Sequence, residues 1–161
     1  MKRIDFVQKK RDIRISTTEV LECCNTNHVE QINIINNLFM GCDSSNCITL
    51  SRELEKKRYN YYQQDLRKKR VIDINDILTR DELIEKLVSS KLKCLYCARK
   101  LLLFYKYVKE PSQWTLDRVD NTLAHTCDNT CIACLECNLK RRDISHKGYA
   151  FTKSLNICKL K

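Results

Sequence analysis

Two glycines, Gly41 and Gly148, and one proline, Pro111, are all that 161 residues contain of either type. Tight two-residue hairpins depend on glycine, so the chain has room for few of them and reads as helix-rich. No run approaches the roughly 18 apolar residues of a membrane span, so no membrane partner is expected. The N-terminal MKRIDFVQKKRDIRI lacks an apolar stretch followed by a small-residue cleavage site. That reads against a secretory leader and toward an intracellular chain, in cytoplasm or nucleus. Histidine is scarce too: only His28, His125 and His146. Imidazole chemistry therefore has few places to sit.

Cysteine is abundant, with eleven residues. Without an oxidising compartment, clustered cysteines point to metal rather than to a disulfide framework. The hydrophobic share of 43% and charged share of 31% suit a folded chain. The formal net charge is +10, and its excess sits in two places, residues 51–70 and 138–161. Concentrated positive charge suits a polyanionic partner such as nucleic acid. The bland reading of either patch is a solvated helix face. The weight of Ile, Asn and Lys reads as the mark of an AT-rich genome.

The pattern divides the chain three ways. Residues 1–50 form an N-terminal segment, where Cys23, Cys24, His28, Cys42 and Cys47 offer ligands for a small metal knuckle, or are partly buried thiols. Residues 51–78 read as a basic helix over 51–70 and a linker. Tyr59, Tyr61 and Tyr62 interleave with its charges, to pack on the domain or to lie against sugar and base. Residues 79–161 form the last unit. Thr79 and Glu82 have capping-box spacing, and Leu83, Ile84, Leu87 and Val88 make the apolar stripe of a core-facing helix. Residues 101–108 read as a buried strand or a short helix, 113–119 as a second strand, 130–133 as a third, and 135–146 as a helix with a basic outer face.

Cys94-Leu-Tyr-Cys97 and Cys134-Leu-Glu-Cys137 carry the strongest signal. A C-x-x-C turn aims two thiolates at one ion, and two such turns complete the tetrahedral shell that structural zinc prefers. Cys131 makes a competing C-x-x-C with Cys134, and Cys127 is near. Four thiolates leave no open position, so zinc here means structure, not catalysis.

Between the cysteines runs Leu116-Asp117-Arg118-Val119-Asp120-Asn121, then His125-Thr-Cys-Asp-Asn129, then Cys134-x-x-Cys137-Asn138. Over residues 79–147 this order resembles the HNH, or ββα-metal, endonucleases, in the zinc-clasped branch that includes recombination endonuclease VII. The resemblance implies an α+β fold. Its ββα-metal (His-Me finger) core is clasped by a four-cysteine zinc site, with added N-terminal helices. It implies metal-dependent hydrolysis of phosphodiester bonds, in DNA rather than RNA, by nicking or by cutting branched DNA. Asp117 and Asn138 match the ligands of a catalytic Mg²⁺ or Mn²⁺, and Asn129 matches the amide that braces the interstrand loop. An Asn directly after Cys137 is the reason to take Cys134 and Cys137, with Cys94 and Cys97, as the zinc ligands.

Arg118 departs from the family, in which many members carry a general-base His there. A guanidinium cannot take that role. Three readings stay open. His125 takes the proton; or the ion activates water, helped by Asp120, while Arg118 holds the phosphate; or the fold is a non-catalytic nucleic-acid-binding module or assembly subunit. His28 and His146 have no assigned part. Lys140, Arg141 and Arg142, and on the first helix Lys56, Lys57, Arg58, Arg67, Lys68, Lys69 and Arg70, are expected to grip the phosphate backbone. Cutting both strands of a duplex would require a homodimer. Motif and base bias together hint at a virus or mobile element.

Overall fold

The computed structural model describes residues 18–70, 73 and 77–155. The start of the N-terminal segment, most of the linker after Arg70 and the end of the basic tail, with Cys158, lie outside them. The described chain is mixed α+β. Its order is α1 (Thr18–Cys23), α2 (His28–Phe39), α3 (Ser45–Arg67), α4 (Arg80–Ser89), β1 (Trp114–Arg118), β2 (Thr130–Cys134), α5 (Leu135–Arg141) and α6 (His146–Ser154). Among the described residues no helix is long and apolar enough to cross a membrane.

Helix starts follow local chemistry. Asn27 and Glu30 close a capping box on α2, and Thr79 and Glu82 close the expected one on α4. Each cap satisfies orphan N–H groups and is worth about 1 kcal/mol. The basic helix begins earlier than expected: Ser44 caps it, and α3 runs for 23 residues. The division at residue 50 thus falls inside a helix. Leu50 and Leu54 of α3 join Ile35 of α2 and Leu83 and Leu87 of α4 in one buried core with Trp114 and Leu116 of β1.

β1 and β2 pair antiparallel, with Asp117 opposite Cys131 and Arg118 opposite Thr130. Residues 101–108 are not the strand their composition suggested. Leu101, Leu103 and Phe104 are buried, but the Leu103 N–H donates to Oε1 of the buried Gln31 at 2.7 Å. A side chain from α2 takes the bond a neighbouring strand would have made. The helix expected over 135–146 is two elements. α5 stops at Arg142, whose φ is 48°, and α6 restarts behind the Ser145 cap. Part of the basic tail is therefore helical.

Candidate functional site

The described residues contain one assembled set of metal-type ligands, Cys94, Cys97, Cys134 and Cys137, whose Sγ atoms lie within 4.8 Å of one another. Cys97 and Cys134 Sγ are 3.9 Å apart. A Zn–S distance of about 2.3 Å requires roughly 3.8 Å along a tetrahedral edge. The arrangement therefore fits an ion such as zinc. Cys134 is also the N-cap of α5, its Sγ accepting the Cys137 N–H, so the helix N-terminus favours thiolate there. The first turn is fastened by the Leu95 N–H on the Ile132 carbonyl at 3.1 Å. Cys94 is pushed down to about 4, chiefly by the Cys134 hydrogen bond, which pushes Cys134 up. One thiolate forms at its neighbour's expense, and a divalent cation resolves that conflict by accepting all four.

Cys131, the rival ligand, lies outside this set, 3.7 Å from the Tyr96 hydroxyl. The N-terminal knuckle is not assembled. Cys47 Sγ contacts the Ile34 carbonyl, Cys23 Sγ contacts Asn46, and Cys42 is exposed. His28 Nε2 meets the Leu92 carbonyl at 3.1 Å. Cys42 and Cys47 meet side chain to side chain, but no three of these residues bring ligand atoms together, and the buried thiols act as small hydrophobes.

Asp117 is 3% exposed and its carboxylate is fully engaged. Arg141 grips it with two donors, Nε to Oδ2 at 2.7 Å and Nη2 to Oδ1 at 2.9 Å, and the Tyr96 hydroxyl donates to Oδ2. Tyr96 sits inside the first C-x-x-C turn, so the clasp reaches the carboxylate directly. His146 Nδ1 lies 3.0 Å from the same hydroxyl. With the tyrosine proton on Asp117, Nδ1 is the donor of that pair. His146, given no part from sequence, therefore belongs to this network.

Asn138 is half-buried on α5. Its Nδ2 donates to Thr115 Oγ1 at 3.1 Å and to the Leu116 carbonyl at 3.2 Å. A divalent ion held by Asp117 and Asn138 does not fit this arrangement, because both oxygens of the carboxylate already serve cations or donors. Asn129 braces the interstrand loop: Oδ1 accepts the Asp120 N–H, and Nδ2 donates to the Asp120 and Ala124 carbonyls at 3.0 and 2.9 Å. Asp120 Oδ1 accepts the Thr122 N–H and hydroxyl.

On Arg118 and His125 the structure adds a residue that sequence reading passed over. His125, 7% exposed, places both its backbone N–H and Nδ1 on Oδ2 of Asp65, at 2.8 and 2.7 Å. Asp65 belongs to α3, the basic helix. Its signal in sequence was solitude, the one acid between Glu55 and Asp73. The Tyr61 ring packs on the imidazole at 4.6 Å, and the Tyr61 hydroxyl accepts the Leu116 N–H, so this tyrosine packs rather than meeting a base. Arg118 Nη1 donates to the Leu123 carbonyl at 3.1 Å and lies 3.8 Å from Asp65 Oδ1, a buried oxygen with no hydrogen bond. Burial holds His125 below its ordinary value against the pull of Asp65, with Arg118 and Arg70 adding repulsion. Nδ1 being engaged by the carboxylate, Nε2 is the free nitrogen of the ring.

The phosphate-gripping set is smaller than its sequence suggested. Arg141 is 2% exposed and wholly internal. Lys57 turns inward, to the Trp114 carbonyl and over the Trp114 ring at 4.1 Å. Arg58 is held by Glu55 and the Leu78 carbonyl, Lys56 by Glu53 and Lys140 by Glu136. Arg67, Lys68 and Lys69 stay exposed at the end of α3, beside half-buried Arg70, and Arg142 is exposed after α5.

No protein-family model, curated protein or solved structure matches the chain.

Proposed function

We propose that the chain is a nucleic-acid endonuclease of HNH type, hydrolysing phosphodiester bonds beside Arg118. One observation carries the reading: His125 Nδ1 is held by Asp65, whose other oxygen lies 3.8 Å from Arg118, and Arg118 and Arg70 both act electrostatically on the ring. An imidazole oriented by a carboxylate can take a proton from water, and two guanidinium groups can neutralise the phosphate under attack. The exposed Arg67, Lys68 and Lys69 extend that charge along the substrate backbone and supply affinity without sequence readout. The zinc set holds β2 and α5 in place and takes no part in the chemistry. DNA is the preferred substrate on the strength of the motif resemblance.

A second reading is favoured by the Asp117–Arg141 pair. A motif carboxylate committed to an internal arginine suits a zinc-stabilised module that binds nucleic acid without cutting it. The deciding experiment is cleavage of supercoiled plasmid and of a four-way junction by zinc-loaded protein, with and without millimolar Mg²⁺ or Mn²⁺. The nuclease reading expects nicking that falls about 10²–10⁴-fold in His125→Ala. Salt-sensitive binding with no product on either substrate selects the binding module.

A further inference from the structure

Arg141 makes more than a pair. Besides both oxygens of Asp117, its guanidinium donates to the Arg118 carbonyl, to Asn121 Oδ1 at 2.8 Å and to the Ile144 carbonyl at 2.8 Å. The donors of a guanidinium are five, and these contacts engage every nitrogen of the group. Asp117 receives donors on both oxygens, two from arginine and one from the Tyr96 hydroxyl. Both side chains are almost without solvent contact.

The structure assigns Arg141 as the resident cation of Asp117, in the place the motif resemblance gives to a divalent metal ion. An ion entering at Asp117 would have to displace the guanidinium. That would strand a buried charge among acceptors too few and too weak to hold it. The amide nitrogen of Asn138, the motif's other residue, is held by Thr115 and Leu116. In this chain Asp117 and Arg141 fasten the end of β1, the loop after it and the end of α5 into one unit. The assignment is independent of whether the protein cuts nucleic acid.

The test is a Mn²⁺ titration of the zinc-loaded full chain, read by the electron paramagnetic resonance of free Mn²⁺. Wild type and Asp117→Asn are expected to bind Mn²⁺ alike. Arg141→Ala frees the carboxylate and should gain affinity by at least about tenfold, a gain that Asp117→Asn in the same chain removes. One Mn²⁺ per wild-type chain, weakened about tenfold or more by Asp117→Asn, would overturn the assignment. Should the variants fail to fold, the Arg141 Nε–H resonance of wild type decides. It is expected to exchange slowly with solvent and to stay unshifted in millimolar Mg²⁺. Its loss or broadening on adding Mn²⁺ would sink the idea.

Discussion

Asp117 and Arg118 end the same strand, yet their charges are handled in opposite ways. Side chains alternate across a strand, so the two point to different faces. On the Asp117 face both carboxylate oxygens are bonded: Arg141 and Tyr96 serve them, and Tyr96 is tied to the cysteine turn. On the Arg118 face valences remain. Asp65 Oδ1 accepts nothing, and Arg118 stands 3.8 Å from it, beyond hydrogen-bond reach. A saturated buried pair holds structure together, because removing either member strands the other. Charges with unused donors or acceptors are the ones able to meet a ligand. The Asp117 face is built for stability, and the Arg118 face keeps capacity to meet a ligand.

Zinc removal should have the largest effect, because the closed face is built on the clasp. Structural zinc sites in small domains supply about 10–16 kcal/mol of apparent folding energy near neutral pH. Strong chelation, or Cys134→Ser, is expected to abolish the cooperative unfolding transition followed by Trp114 fluorescence. Cys42→Ser should change neither that transition nor a zinc content of one ion per chain. A Cys134→Ser protein that keeps its zinc and its transition would remove the clasp from the argument.

Next come the two carboxylates. Asp117→Ala strands Arg141 and should cost about 3–5 kcal/mol in urea unfolding of zinc-loaded protein. Asp65→Asn keeps the shape and an acceptor for the His125 N–H groups, and should cost about 1 kcal/mol. Under the proposed nuclease reading the order reverses for cleavage: Asp65→Asn weakens the orientation of His125 and lowers turnover, with substrate affinity nearly unchanged. Equal stability losses in the two variants would erase the distinction between the faces.

Much of this was readable from residue order. The two C-x-x-C turns, the α4 capping box, and the positions of β1 and β2 depend on local spacing, which a sequence displays. What escaped depends on where distant segments meet. Asp65 and His125 are 60 residues apart, and nothing local ties a lone acid in a basic helix to a histidine in a loop. Arg141 looked like surface charge because Lys140 and Arg142 flank it. Only the helix phase turns it inward while its neighbours face water. Residues 101–108 misled because burial and strand formation share a composition, and here the buried Gln31 took the backbone N–H.

A smaller, pH-dependent effect follows from His125. Burial holds its folded value below the ordinary one of about 6.5. Between those two values the unfolded chain binds more protons than the folded one. The stability tied to neutral His125 is therefore complete at and above neutral pH, and is lost as pH falls through about 6.5 toward the folded value. Urea midpoints at about pH 7.5 and 5.5 should drop more in wild type than in His125→Gln. A nuclease using this imidazole as base would lose its rate with a midpoint below about 6.5, and a midpoint above that would exclude His125 as the acceptor.

Arg70→Ala should have the smallest effect and draws the comparison most finely. Arg70 is half-buried at the end of α3 and close enough to Arg118 and His125 to disfavour their charged forms. Its removal takes repulsion away, so stability should stay level or rise slightly, the reverse of a lost structural contact. If the Arg118 face meets phosphate, the same change should lower the slope of log affinity against log salt by about 1. Filter binding across a salt series measures that slope. Lys56→Ala is the control, because Lys56 is occupied by Glu53 away from this cluster. A drop in slope for Arg70→Ala but not for Lys56→Ala places phosphate at the open face. Equal drops mean that the basic helix binds polyanions by diffuse charge alone, and Arg118 then loses its claim to the scissile phosphate.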